Sequence, residues 1–96
     1  MAARRLTWLP EALEDVARLD AFLRQHSAES ARRSAETILE AARDLKNFPE
    51  RGRPSDLADG FRDLVVPFGR SAYVLRYRLH GSLVVVVRVW HGRENR

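Results

Sequence analysis

Residues 71–90 read SAYVLRYRLHGSLVVVVRVW. From Ser71 to Leu79 the side chains alternate. Tyr73, Leu75, Tyr77 and Leu79 share one face, and Val74, Arg76 and Arg78 share the other. Period-two alternation of this kind marks a strand buried on one side. His80-Gly81 fits a two-residue hairpin turn. Leu83–Trp90 is apolar on both faces until Arg88, as a strand flanked by neighbours is. Just upstream, Phe61–Val66 reads as a further strand and Pro67-Phe68-Gly69 as the turn after it. The C-terminal part of the chain is therefore expected to be a small, mainly antiparallel sheet.

Upstream of the sheet the period changes from two to three and four. Arg4–Leu9 has the composition of a short first strand, and Pro10 suits the first position of a helix, where its missing N–H costs nothing. Glu11, Glu14 and Asp15 suit the positive end of that helix. Over Leu9–His26, the positions Leu9, Leu13, Val16, Leu19 or Asp20, and Leu23 form one stripe, thickened by Ala12, Ala17 and Phe22. Ser27 is placed to cap a second helix whose seam is Ala31, Ala35, Ile38, Ala42 and Leu45. The small alanines allow close approach, so the pair is expected to be an antiparallel αα-hairpin. Phe48-Pro49 stops it, and Glu50 to Gly60 reads as a polar loop. The predicted class is α+β: one domain over residues 1–96, in the order β-α-α-β-β-β, with a helical hairpin packed on a small, mainly antiparallel sheet.

Composition narrows the function classes. The chain has 96 residues, 45% hydrophobic and 31% charged, within the range of an ordinary globular domain. The longest apolar run, Leu83–Val87, is five residues, far short of a membrane span. Met1-Ala2-Ala3-Arg4-Arg5 is not followed by the apolar segment of a secretory signal, so a cytoplasmic protein is expected. Cysteine is absent, which removes disulfides and thiol chemistry. No phosphate-binding glycine loop and no pair of histidines at helical spacing occurs, so neither cofactor nor metal is expected.

Charge is unevenly placed. Residues 1–48 carry eight basic and eight acidic side chains, whereas residues 49–96 carry nine Arg against five acids, the source of the net +4. That asymmetry points to an acidic partner, either a phosphate backbone or an acidic protein surface. The candidate residues are Arg51 and Arg53 in the loop, Arg62, Arg76 and Arg78 in the sheet, and His91 and Arg93 after the last strand. Arginine offers a planar fork of donors for phosphate or carboxylate. Histidine titrates near neutrality, so His91 and Glu50 are the candidates for proton transfer in RNA cleavage, with Arg51, Arg62 or Arg93 stabilising charge. Trp8 and Trp90 are expected in the core, with stacking on bases as the alternative.

Five stretches in this order resemble the RelE/ParE superfamily of bacterial toxins from type II toxin–antitoxin modules. They are residues 8–16 (WLPEALEDV), 45–54 (LKNFPERGRP), 60–64 (GFRDL), 73–78 (YVLRYR) and 87–93 (VRVWHGR). The resemblance implies a toxin neutralised by a cognate antitoxin. It implies one of two targets, since RelE-like members cut mRNA on the ribosome and ParE-like members inhibit DNA gyrase. Glu50, Arg51, Arg53 and His91 match positions found in some of the ribonucleases. Val74 stands where those enzymes usually carry an arginine, Gly92 follows His91, and no tyrosine follows Tyr77. Loss of one charge-stabilising donor typically costs on the order of 10²–10³ in rate. The Gly-Phe-Arg-Asp-Leu element and the His-Gly-Arg ending are more similar to ParE-type and plasmid-stabilisation proteins. The resemblance therefore implies a gyrase inhibitor contacting its target through Arg62, Arg76, Arg78, His91 and Arg93. The alternative it implies is a metal-independent ribonuclease using His91, Glu50 and Arg93.

Overall fold

A computed structural model describes residues 4–56 and 59–94. Strand β1 (Arg5–Trp8) leads through Leu9 into helix α1 (Pro10–Arg24), and α2 (Ala28–Asp44) follows. Pro10 opens α1 as expected. The Ser27 hydroxyl accepts the Ser30 N–H at 3.1 Å, the N-cap that starts α2. Four more strands follow: β2 (Arg53–Pro54), β3 (Phe61–Phe68), β4 (Ser71–His80) and β5 (Leu83–His91). The sheet order is β1-β5-β4-β3-β2, and β1 runs parallel to β5 while every other pair is antiparallel.

Both helices lie on one face of the sheet, α1 over β5 and α2 over β3 and β4. Ala12 and Leu19 of α1 and Ile38 and Ala42 of α2 meet Leu64, Val66, Tyr73, Leu75, Tyr77, Val84, Val86 and Val89 in one core. Leu6 and Trp8 pack at its margin. The buried Ser34 hydroxyl donates to the Tyr73 hydroxyl at 2.7 Å, so the one hydroxyl on the α2 seam is satisfied.

Four sequence expectations shift. The buried stripe of α1 is Ala12, Asp15 and Leu19, and Leu13 is 54% exposed. The predicted loop contains β2, whose Arg53 and Pro54 pair with Asp63 and Arg62; Leu57 and Ala58 of that loop lie outside the described residues. Both hairpin turns move toward the C-terminus: the expected Pro67-Phe68-Gly69 turn becomes the two-residue Gly69-Arg70, because β3 continues through Phe68, and His80-Gly81 becomes Gly81-Ser82. Gly69 and Gly81 have φ of 60° and 59°, and a turn that needs positive φ at its first central residue selects glycine there. His80 stays paired with Leu83. Finally, Leu79, near the end of β4, is 40% exposed although it lies on the core-facing alternation.

Candidate functional site

The sheet face turned away from the helices is floored by cross-strand rows. One row is Val65–Val74–Trp90, and the next runs Arg53–Asp63–Arg76–Arg88. Trp90 is not a core residue: it shares the open face with Val74, and the Arg76 guanidinium lies over its ring at 4.9 Å. Arg76 also makes a bidentate pair with Asp63, at 2.8 and 3.0 Å. Arg76 is thus neutralised and stacked, a buttress of the face. Arg78, one pleat along, is exposed and lies 5.9 Å from the Phe61 ring centroid.

Arg62 is turned elsewhere. Its Nη1 donates to the Gly52 carbonyl at 2.7 Å and to the Glu50 carbonyl at 3.4 Å. The loop thus held presents Arg51, Arg53 and Glu50 to solvent. Arg51 lies over the Phe48 ring at 5.2 Å and is 3.7 Å from Asp44.

His91 is the last residue of β5, opposite Tyr73, against whose ring it packs edge-on at 5.6 Å. The Arg93 backbone N–H donates to its Nδ1 at 3.1 Å, so Nδ1 accepts and Nε2 carries the proton toward the Ser71 hydroxyl, 2.8 Å away. Both ring nitrogens are engaged. Glu50 sits at the other end of β4, where Tyr77 contacts Pro49 and Gly52. Tyr73 and Tyr77 are four residues apart on one strand, which is about 13 Å. The structure therefore does not bring Glu50 and His91 together. It places His91 and Arg93 at one end of the sheet and Arg51, Arg53 and Arg62 at the other.

Asp15, which the sequence places only at the positive end of α1, has a further role as a buried tie between that helix and β5. Strand β1 pairs with β5 as far as Val86, and among the described residues no strand continues along the rest of that edge. Asp15 covers that edge from α1: its Oδ2 accepts the Val89 N–H at 2.8 Å and Arg88 Nε at 2.8 Å, and its Oδ1 accepts Arg88 Nη2 at 3.1 Å. Burial pushes the Asp15 carboxyl up, but the hydrogen bonds from Arg88 and Val89 and the Arg88 charge outweigh it, holding the group below its ordinary value. Arg18 bridges Asp15 to Glu94 at 3.4 and 2.7 Å, tying the segment after Arg93 to α1. The available signal was a carboxylate at the i+3 position from Ala12, inside an otherwise apolar stripe.

Solved structures share this architecture. The chain is similar to a chromosomal ParDE toxin–antitoxin system from P. aeruginosa, with a TM-score of 0.77 at 23% identity over 93% of this chain and 96% of that one. It is also similar to the toxin–antitoxin complex RelBE2 from Mycobacterium tuberculosis, with a TM-score of 0.65 at 23% identity over 94% and 99%. Two helices on a mixed sheet of this order are the fold of the RelE/ParE superfamily. Among curated proteins of Caulobacter vibrioides, toxin RelE1 is 45% identical over 88% of this chain and 89% of its own length. Toxin RelE3 is 33% identical over 91% and 92%. Residues 6–96 match the family described as the ParE toxin of the type II toxin–antitoxin system parDE. The chain belongs to that ParE toxin family.

Proposed function

We propose that this chain, acting as one domain over residues 1–96, arrests growth by inhibiting DNA gyrase and is held in check by a cognate antitoxin. The reading rests on the separation of Glu50 and His91. General acid–base cleavage needs donor and acceptor within about 3 Å of the atoms they serve, and here one candidate lies at each end of β4 with both His91 nitrogens already bonded. A binding inhibitor needs no such pair. It needs an exposed, cationic surface on a rigid sheet, and Arg78, Arg93 and the open face around Trp90 supply it. An antitoxin rich in acidic side chains would cover that surface and silence it, the arrangement expected of a plasmid-stabilisation module.

A second reading, ribosome-dependent mRNA cleavage, is favoured by the names of the Caulobacter vibrioides relatives. A supercoiling assay with antitoxin-free protein, gyrase, ATP and relaxed plasmid separates the two. Blocked supercoiling with linear DNA accumulating is the expected result. Among the described residues Arg93 is exposed and ties to the fold through its backbone N–H, so Arg93→Glu should abolish the block while melting within about 2 °C of the parent. Unimpaired supercoiling by folded protein would transfer the assignment to mRNA cleavage, where His91→Gln and Glu50→Gln would slow cutting.

A further inference from the structure

The corner at residues 48–52 is fixed from below more firmly than a surface turn requires. Tyr77 is fully buried, and its hydroxyl donates to the Pro49 carbonyl at 2.6 Å and accepts the Gly52 N–H at 2.9 Å. Arg62 adds its bonds to the Gly52 and Glu50 carbonyls, and the Arg51 N–H closes on the Phe48 carbonyl at 3.1 Å. What this clamp holds up is Phe48, 56% exposed. On the other side, Arg4 donates to the Lys46 carbonyl at 3.2 Å. Between them lies a hollow of about 550 Å³ lined by Arg4, Asn47, Phe48, Pro49, Glu50 and Arg51.

The chemistry of the lining selects an occupant. The phenyl ring and Pro49 form an apolar wall, and two guanidinium groups outnumber the one carboxylate, Glu50. Asp44 does little to neutralise Arg51, because at 3.7 Å with both groups half exposed such a pair is weak. The hollow is an open depression of the surface, suited to one side chain of a longer segment, and a wall fixed by hydrogen bonds loses little entropy on binding. A second copy of this chain, itself of net charge +4, would bring the wrong sign.

We propose that this hollow anchors an acidic segment of the cognate antitoxin, with one bulky apolar side chain against Phe48 and a neighbouring carboxylate between Arg4 and Arg51. The proposal rests on the toxin–antitoxin reading and is independent of whether gyrase or the ribosome is the target. A partner that covers the open sheet face gains a second, preorganised foothold here, and linked footholds multiply affinity.

The test is a titration of purified cognate antitoxin into antitoxin-free toxin carrying Phe48→Ala or Arg4→Glu, with growth arrest on induction scored in parallel. Both side chains are exposed, so both variants should fold, checked by thermal melting. The expected result is a 10- to 100-fold weaker affinity for Phe48→Ala and about 10-fold for Arg4→Glu, with growth arrest retained and more antitoxin needed to relieve it. Antitoxin affinity within twofold of the parent in both variants overturns the proposal. So does unchanged affinity accompanied by loss of growth arrest, which would give the hollow to the target. A toxin dimer dissociated by Phe48→Ala with antitoxin affinity unchanged would give it to a second copy. The supercoiling result on the parent protein is read separately, so failure of the gyrase assignment leaves this outcome interpretable.

Discussion

A single hydroxyl organises the corner that carries Arg51 and Arg53. Tyr77→Phe keeps the ring in the core and removes only the oxygen, leaving the buried Gly52 N–H and the Pro49 carbonyl without their partner. Stranding a buried donor costs about 2 kcal/mol, which for a domain of this size lowers the melting temperature by about 10 °C. Gly52→Ala attacks the same contact from the other side. A Cβ there would lie 2.8 Å from the Tyr77 ring and hydroxyl, with the Asp63 carbonyl at 3.1 Å, and the ring is held by the core and cannot yield. Its loss should therefore equal or exceed that of Tyr77→Phe, and the two measured together should be less than additive because they break one contact. A Gly52→Ala protein that melts like the parent would show that the corner is not clamped as described.

The element that depends most on one side chain is β5. A strand edge left without a partner is open to pairing with another chain, and where β1 ends, the Asp15 carboxylate takes over, accepting the Val89 N–H and both donors of Arg88. Asp15→Asn halves the acceptors and turns a donor toward donors, so it should cost roughly 2–3 kcal/mol in chemical denaturation. The pH dependence carries a sign. Because the folded carboxyl titrates below its ordinary value of 3.8, its contribution is complete above that value and is lost as pH falls through the lower, folded value. Stability should therefore drop below pH 4, and Asp15→Asn should flatten that drop; an equally steep loss in the variant would place the acid lability elsewhere. The same element shows where patterning misleads. Period-two alternation identified β4, Pro10 marked the start of α1 and the Ser27 cap that of α2, because those signals are local. Taken one residue at a time, apolarity puts Leu13 on the stripe and leaves Asp15 to the positive helix end, the reverse of what is buried. Which face of α1 is buried depends on where β1 stops beside β5, and no spacing within α1 encodes that.

At the scale of the molecule, the sheet order puts the helices on one side and leaves the other side to Val65, Val74 and Trp90, framed by arginines. The openness of that face was legible in the alternation of Tyr73–Leu79. The division of labour among its arginines was not, because it depends on which carboxylate lies across the strand. Asp63 faces Arg76 on the neighbouring strand, whereas Arg78 faces Phe61. Nor did the sequence separate the two candidate clusters, since the distance between Glu50 and His91 is set by the length of β4 and not by spacing along the chain. The same comparison makes a prediction about charge. Arg76 is held by two hydrogen bonds to Asp63 and by the Trp90 ring, so Arg76→Ala strands a half-buried carboxylate and strips the tryptophan; it should cost roughly 2 kcal/mol of stability. Among the described residues Arg78 has the edge of a contact with Phe61, worth about 0.5 kcal/mol. Arg78→Glu should thus melt close to the parent yet lose the block of supercoiling, because it reverses a free charge on the face proposed to meet gyrase. Raising salt from about 50 to 200 mM should weaken inhibition by the parent, since exposed cations are screened over such a range. An Arg78→Glu protein that still inhibits at full strength would remove the open face from the interface and leave the His91–Arg93 end as its sole cationic contact.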